Sequence, residues 1–479
     1  MNKIIKYILA IFMTLLSVYL VFIMNSLDVL PMKYMLVFVF IIVLFNIIGH
    51  LTLFVKNMWS KIITCICYSV LVTVSFLGIN YGLNTLDFLN KAFNNNDVEV
   101  TTYNLIVLNN KGIDDIKSLE DKDVAIMDND NNRDEVLKEL KGKVKVVEKT
   151  YTDIYDVYNA FLNSKIVGAF IDSSLLEIID EEPSMCDCEE VRFFKDDYKV
   201  LYTYEIENKK EKIKDNVKLE PMNIYLSGSD SRSNTIQNKS RSDVNMILTI
   251  NPDTKTVLMT SIPRDYYVSV NGKTGLKDKL THAGIYGIDT SRKTLEDLFD
   301  IDIPYSIKIS MSSVVEIVDL VGGVDINSDT EFNSYHYSGW RVKKGINHMD
   351  GAHALAYSRE RYAYASGDRH RILNQQQVLE AVLKKIVSDK TILTKYDKLL
   401  DSLSNMYRTD IPSSLITDLV KRQIDDMSGW KFLSNSVSGS DASSATYTAP
   451  NSKRYVMIPY ERDVSGAHEK IEAVLKGTN

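Results

Sequence analysis

The sequence predicts an α/β protein carried on a three-helix membrane region. Two patterns predict it: long apolar runs confined to the first eighty residues, and short strand-like runs alternating with helical ones after them. The apolar runs cover residues 7–24, 34–55 and 62–79. At about 1.5 Å per residue, each is long enough to cross a hydrocarbon core of about 30 Å. A cleaved signal peptide is the competing reading of the first run, but that run is too long and no small-residue cleavage site precedes the second.

Basic residues set the expected orientation. Lys3 and Lys6 precede the first run, and Lys56 and Lys61 separate the second from the third, whereas Asp28 offsets Lys33 in the intervening loop. The N-terminus is therefore expected in the cytoplasm and everything after about residue 83 outside, in a multi-pass cell-membrane protein. Asn46 and His50 in the second run read as helix-contact or snorkelling residues. Cys65 and Cys67 lie in the third run, while Cys186 and Cys188 are one residue apart, too close for an unstrained bridge. The net charge of only −7 comes from interspersed acidic and basic residues, which gives no reason to expect nucleic acid as a partner.

The chain divides into a membrane region (1–83), a small extracellular α/β accessory domain (84–208), a Lys/Glu-rich linker (209–219) and a larger domain (220–479). In the accessory domain, strands are expected at 103–108, 123–127, 144–148 and 167–171, with helices around Ile116, at 135–140 and at 155–162. Its segments at 122–126, 160–162 and 168–172 resemble one lobe of an extracellular solute-binding protein. Such proteins close two lobes on a ligand and only one is legible here, so a spacer or docking role is expected. The larger domain opens with three successive strands carrying Met222, Ile224 and Leu226, then Val244, Met246, Leu248 and Ile250, then residues 257–262. Helical patterns at 294–298, 314–321 and 352–357, a strand at 305–309, and a long helix with Ile372, Leu379, Val382, Leu383 and Ile386 on one face complete an α/β/α sandwich with a mixed central sheet. The Ser/Ala-rich stretch 434–452 reads as a surface loop before a last strand at 455–459 and a terminal helix.

Charged residues recur at the ends of these elements, where open α/β folds place ligands. They are Asp230 and Arg232, Arg241 and Asp243, Arg264 and Asp265, Asp278 and Lys279, Arg359 and Arg361, and the stretch from Asp368 through Arg371 to Gln375. A pyrophosphate diester needs its charges held by planar donors and shared with a hard cation, for which arginine and carboxylate-bound magnesium are suited. Arg359 and Arg361 share a face in extended backbone, Arg371 and Gln375 share a helix face, and Asp368 is placed to cap that helix.

This order and spacing resemble the LytR-CpsA-Psr family, membrane phosphotransferases that attach wall teichoic acids, capsules and other glycopolymers to peptidoglycan. The three-span head with an accessory domain looks like the CpsA type. The resemblance implies a polyprenyl-pyrophosphate-linked glycan as donor, peptidoglycan as acceptor, the membrane and capsule or wall-polymer assembly proteins as partners, and Mg²⁺, with Mn²⁺ as the alternative. It implies that Asp230 and Asp243 hold the metal with Arg264 beside it. Arg241, Arg359, Arg361 and Arg371 would bind the pyrophosphate, Gln375 would bond to a phosphate oxygen or the first sugar, and Arg232, Asp265 and Lys279 would form a second tier. Two departures stand out: Asn374 replaces an arginine common in the family, removing one charge from the rim, and residues 284–288 depart from a glycine-rich end. A lipid-pyrophosphate hydrolase and a non-catalytic glycolipid sensor use the same residues. Gly322 and Gly323 read as a structural turn, His282 as a structural histidine, and Tyr357 and Tyr362 as packing residues.

Overall fold

The computed structural model describes residues 3–94, 98–180, 194–209, 217–229, 239–365, 367–388 and 407–478. Three apolar helices come first: α1 (Lys3–Leu27), α2 (Met32–Leu53) and α3 (Met58–Asn94). Each is long and apolar enough to cross a membrane. Their polar residues pair with one another: His50 bridges Thr14 Oγ1 (2.9 Å) and the Tyr68 hydroxyl (2.8 Å), and Asn46 donates to Ser17 Oγ at 2.8 Å. A side chain at Gly78 of α3 would meet Leu20 of α1 at 2.6 Å, so this small residue permits the close approach of the two helices.

The accessory domain is a five-stranded sheet in the order β3-β2-β4-β1-β5, built from β1 (Val98–Leu108), β2 (Asp123–Met127), β3 (Val147–Tyr151), β4 (Gly168–Asp172) and β5 (Tyr198–Lys209). Helices α4 (Arg133–Lys143), α5 (Ile154–Leu162) and α6 (Ser173–Ile179) flank it. The strand expected at 144–148 begins three residues later, because Val144 closes α4 by donating to Leu140 and buries its side chain. The helix expected near Ile116 is a single 3-10 turn, Ile116–Leu119.

The larger domain is a six-stranded mixed sheet. Its strands are β6 (Met222–Ser229), β7 (Val244–Asn251), β8 (Thr256–Ile262), then, after the short pair β9 (Tyr267–Val268) and β10 (Asp278–Lys279), β11 (Tyr305–Ser310). Beyond it come two small hairpins, β12 (Val324–Ser328) with β15 (Gly345–Met349) and β13 (Phe332–Asn333) with β14 (Arg341–Val342). The edge strands β16 (Tyr407–Thr409) and β17 (Lys431–Ser436) complete the sheet in the order β16-β11-β6-β7-β8-β17, and β18 (Gly439–Ala445) pairs with β19 (Lys453–Pro459) outside it.

Helices cover both sheet faces. Alternation along the strands sends Tyr225, Ile247, Leu258 and Ile262 one way, against α8 (Ile288–Phe299) and the terminal helix α13 (Glu461–Leu475); α7 (Leu280–Ala283) sits at the edge of this layer. Ile224, Leu226, Met246, Leu248 and Met259 face the other way, against α11 (Asp368–Ser388) and α12 (Ser413–Asp426). Helices α9 (Met311–Leu320) and α10 (Gly351–Arg359) pack together beside α11.

The stretch 434–452 is not a surface loop. Its first residues complete β17, which pairs in parallel with β8, and the next form β18; Thr446, Thr448 and Ala449 are buried. Serine and threonine are tolerated because the backbone ladder, rather than an apolar face, fixes this segment. Gly322 and Gly323 form the expected turn with φ of 80° and 86°, closing α9 through a bond from Gly323 N to Val318 O at 2.8 Å.

The accessory domain is packed on the larger one through α5 and α6. Ile285 joins the accessory core, Ser174 Oγ donates to Ile285 O at 3.2 Å, and Asn451 donates to Asp153 and Asp156 at 3.1 and 2.7 Å. The Arg454 guanidinium lies 3.4 Å from the Tyr155 ring centre.

Candidate active site

The site begins with strand register. Gly228 pairs with Val244 and Asn245 with Ile262, so the end of β6, the residue before β7 and the loop after β8 meet at one edge of the sheet. Asp243 and Arg264 are thereby neighbours, and Arg264 Nη1 donates to Asp243 Oδ1 at 2.8 Å. The chain of alternating charge continues: Arg264 Nε lies 3.7 Å from Asp265 Oδ2, and Lys279 Nζ lies 3.0 Å from Asp265 Oδ1. The α7 turn fixes both sides of this cluster. Thr281 N donates to Arg264 O at 2.8 Å, and Ser242 N donates back to Thr281 O at 3.1 Å.

Arg241 is positioned by the buried neighbours on either side of it, just ahead of β7. Ser240 and Ser242 on either side of it are buried, Ser242 against Ser227 Oγ at 2.5 Å, while the Arg241 side chain lines the cavity. A side chain at Gly284 would meet Ser240 O at 2.5 Å and Ser242 Oγ at 2.9 Å, so the altered sequence at 284–288 keeps a glycine at the point of contact. The resulting cavity of about 190 Å³ is lined by Arg241, Asp243, Arg264, Asp265 and Lys279, with Thr281 and His282 on its wall and Tyr155 and Ile178 of the accessory domain opposite. His282 is held by Asp278 at 2.8 Å and Thr448 at 3.0 Å, which gives it the expected structural role.

Three residues that sequence patterns did not single out belong here. Lys308 of β11 is 1% exposed and stands opposite Ser227 and Arg408 on the polar face of the sheet edge. Burial lowers the pKa of Arg408. Glu177 of α6 reaches across from the accessory domain, and its Oε2 accepts from Arg241 N at 3.1 Å. Burial pushes the Glu177 carboxyl up to about 7, against the opposing pull of Arg241 and Lys308 and with a smaller push from Asp243. A lysine between Ile307 and Ile309 carries no local mark of burial, which comes from the layer that covers it.

Because the folded pKa of Glu177 lies above its ordinary value, the folded chain favours the neutral carboxyl. The stabilisation is complete below the unfolded value of 4.5 and is lost as pH rises through about 7. Glu177→Gln is therefore expected to stabilise the protein by about 1–2 kcal/mol at pH 8, a few degrees in melting temperature, and to have little effect at pH 5. A variant that melts lower than the parent at pH 8 would contradict this account of the burial.

Arg359, Arg361, Arg371 and Gln375 lie in the α10–α11 layer and do not line this cavity. Arg359 ends α10, so it is not in the extended backbone expected for it. Glu360, fully buried, accepts from the backbone N–H groups of Tyr335, Arg361, Tyr362 and Ala363 and turns the chain between the two arginines. Arg361 consequently lies over the Tyr362 ring at 4.8 Å and donates to its hydroxyl at 2.6 Å. Tyr362 is 57% exposed but packs its ring on Tyr335 at 4.4 Å, and Tyr357 is fully buried and packs on Phe332. Arg371 stands in the first turn of α11 and Gln375 one turn on, half-buried. Asp368 is the first helical residue, so Gly367 holds the cap position instead. Asn374 is fully buried and donates to Tyr357 O at 3.1 Å, so its replacement of arginine takes no charge from the rim. Asp230 and Arg232, like Cys186 and Cys188, lie outside the described residues.

The family model for LytR_cpsA_psr matches residues 191–462, more than half of the chain. The chain belongs to the LytR-CpsA-Psr family. Relatives of this LytR-CpsA-Psr protein include the polyisoprenyl-teichoic acid–peptidoglycan teichoic acid transferases TagU of Bacillus mycoides, 38% identical over 207 residues, and of Bacillus licheniformis, 35% identical over 193. These alignments cover 43% and 40% of this chain, and 65% and 60% of the relatives' own length. Among solved structures, B. subtilis TagV is 28% identical with a TM-score of 0.45, covering 54% of this chain and 99% of TagV.

Proposed function

We propose that this protein transfers a glycopolymer from a polyprenyl-pyrophosphate carrier to peptidoglycan, forming a phosphodiester link. The observation that carries the proposal is the convergence of Arg241, Arg264, Lys279 and buried Lys308 with Asp243 at one sheet edge, in a chain of this family whose relatives are named as such transferases. In the reaction proposed, an acceptor sugar hydroxyl attacks the glycan-linked phosphorus in line. A P–O bond to the acceptor forms as its O–H proton passes to water, and the P–O bond to lipid phosphate breaks. Arg241 and Arg264, with Arg359 and Arg371 from the adjoining layer, would offset charge on the phosphoryl and leaving oxygens. Asp265, engaged by Lys279 and Arg264, would hold that guanidinium in place.

The donor set suits magnesium or manganese. Among the described residues no three His, Cys, Asp or Glu side chains converge as a dedicated metal cage, and Mg²⁺ characteristically takes one or two carboxylates and completes its shell with substrate phosphate and water. Asp243 together with Asp230 would hold it. The bound ion would supply positive charge to the pyrophosphate oxygens.

Placement of the larger domain outside the cell is supported by two ion pairs. Lys33 pairs with Asp425 at 2.5 Å and Lys421 with Asp28 at 2.6 Å, which seats the loop between α1 and α2 against α12. That loop lies at the helix ends opposite Lys3, Lys6, Lys56 and Lys61, the end expected in the cytoplasm. Alkaline phosphatase fused after residue 90 should therefore be active, and an inactive fusion paired with an active cytoplasmic reporter would refute the topology.

The deciding assay uses the full chain in lipid vesicles with a short-chain prenyl-pyrophosphate disaccharide, Mg²⁺ and peptidoglycan. Lipid phosphate release matched by wall-bound disaccharide phosphate supports transfer. Free disaccharide phosphate would establish a hydrolase instead, and binding without turnover a sensor.

A further inference from the structure

Beside the phosphate cavity lies a second one of about 180 Å³, closed by both domains. The two share a wall. Ile154 lines the second cavity and Tyr155 the first; His282 of α7 lines the first, and Ile285 and Tyr286, in the 3-10 turn that follows it, the second. Lys239 of the second is separated from Arg241 of the first by Ser240 alone, so their Cα atoms are at most about 7 Å apart.

The polar groups of this cavity are sorted by domain. The accessory side presents acceptors, chiefly the carboxylates of Asp130 and Asp172 with the amides of Asn129 and Asn132 beside them, and the larger domain presents the ammonium groups of Lys239 and Lys273. Asp130 spends one oxygen on the Tyr103 hydroxyl and Asn132 N, both at 2.9 Å. Lys239 reaches Asp172 only at 3.9 Å. Lys273 lies over the rings of Tyr286 at 4.0 Å and Tyr447 at 5.5 Å, and among the described residues no carboxylate comes within ion-pair distance of it. Two half-buried ammonium groups thus face the cavity with donors that, among the described residues, no hydrogen bond engages, opposite a wall of acceptors.

A ligand that satisfies both walls must donate and accept at once without bringing net charge. Hydroxyl groups do this, each offering one donor and two lone pairs. An added phosphate or carboxylate would meet Asp130 and Asp172, and an added cation would meet both lysines. The apolar floor of Met127, Ile154, Leu175 and Ile285 suits the C–H face of a ring. We propose that this interdomain cavity binds a saccharide unit next to the reacting phosphate, so that the accessory domain supplies half of a sugar subsite. The inference rests on the transfer reading, since that reading brings a glycan to the neighbouring cavity. The sugar belongs either to the donor, beside its pyrophosphate, or to the acceptor.

The test measures binding by calorimetry to the full chain in lipid nanodiscs. The probes are a soluble peptidoglycan disaccharide, a short-chain prenyl-pyrophosphate disaccharide, and inorganic pyrophosphate with Mg²⁺. Lys273→Met keeps the side chain over the tyrosine rings and removes its donors. It should weaken one disaccharide probe roughly tenfold, the usual size for a hydrogen bond from a charged donor, and leave inorganic pyrophosphate unchanged. The probe that weakens identifies the sugar as the acceptor's or the donor's. Should Lys273→Met fail to fold, Asn132→Ala carries the same expectation from the opposite wall. Equal binding of both disaccharides by parent and variant, or no binding of either by the parent, overturns the subsite. Failure of the parent to bind inorganic pyrophosphate, with disaccharide binding intact, overturns the transfer reading alone.

Discussion

Asp243→Asn should reduce transfer at least a hundredfold while the protein still folds. Asp243 stands at the entry to β7, where its backbone N–H donates to Gly228 O at 2.8 Å, a bond that asparagine keeps. The substitution is isosteric and retains an oxygen to accept from Arg264, so the sheet edge should survive. What disappears is the negative charge that would hold the metal and anchor the Arg264 guanidinium. Loss of one preorganised electrostatic group commonly costs about 10²–10³ in rate, and Asp243 is asked to serve two such groups. The measurement is transfer by the full chain across a magnesium titration, alongside thermal melting. An Asn variant with parental activity and unchanged magnesium dependence would remove Asp243 from the site.

The arginines of the α10–α11 layer offer the second large effect, because geometry and charge can be separated there. Arg359→Lys and Arg371→Lys preserve net charge but give up the planar fork that engages two phosphate oxygens at once. Each should lose most activity, on the order of a hundredfold. Arg361→Lys is the internal comparison: Arg361 donates to the Tyr362 hydroxyl and lies over that ring, so its guanidinium is engaged on an exposed tyrosine and its replacement should cost much less. Exposed charges contribute only about 0–1 kcal/mol, and a merely solvated patch would tolerate all three changes equally. If Arg359→Lys and Arg371→Lys both transfer within about threefold of the parent, a clamp at these positions is wrong.

The sequence by itself determined the three apolar helices, because their length and composition answer to membrane thickness alone. It also determined the strands β6, β7, β8 and β11, whose apolar alternation is a local signal, and the cluster of Arg241, Asp243, Arg264, Asp265 and Lys279, whose members sit within a few residues of strand ends. Where the pattern was polar it misled. The serine-rich stretch after residue 434 gave no apolar period, yet β17 pairs with β8 and β18 with β19, since backbone hydrogen bonding needs a neighbouring strand rather than a side-chain pattern. Glu360 between two arginines carries no local mark of burial, and only the turn after α10 shows it buried on four backbone donors. Tertiary structure alone decided the entry of Glu177 and the burial of Lys308. Glu177 is 64 residues from Arg241, and Lys308 is buried only by what covers it; neither carries a local mark. Docking of α5 and α6 onto Ile285 and Asn451 turns a one-lobed domain into a wall of the site, and that closure depends on a surface match between segments more than a hundred residues apart, which no window of sequence contains.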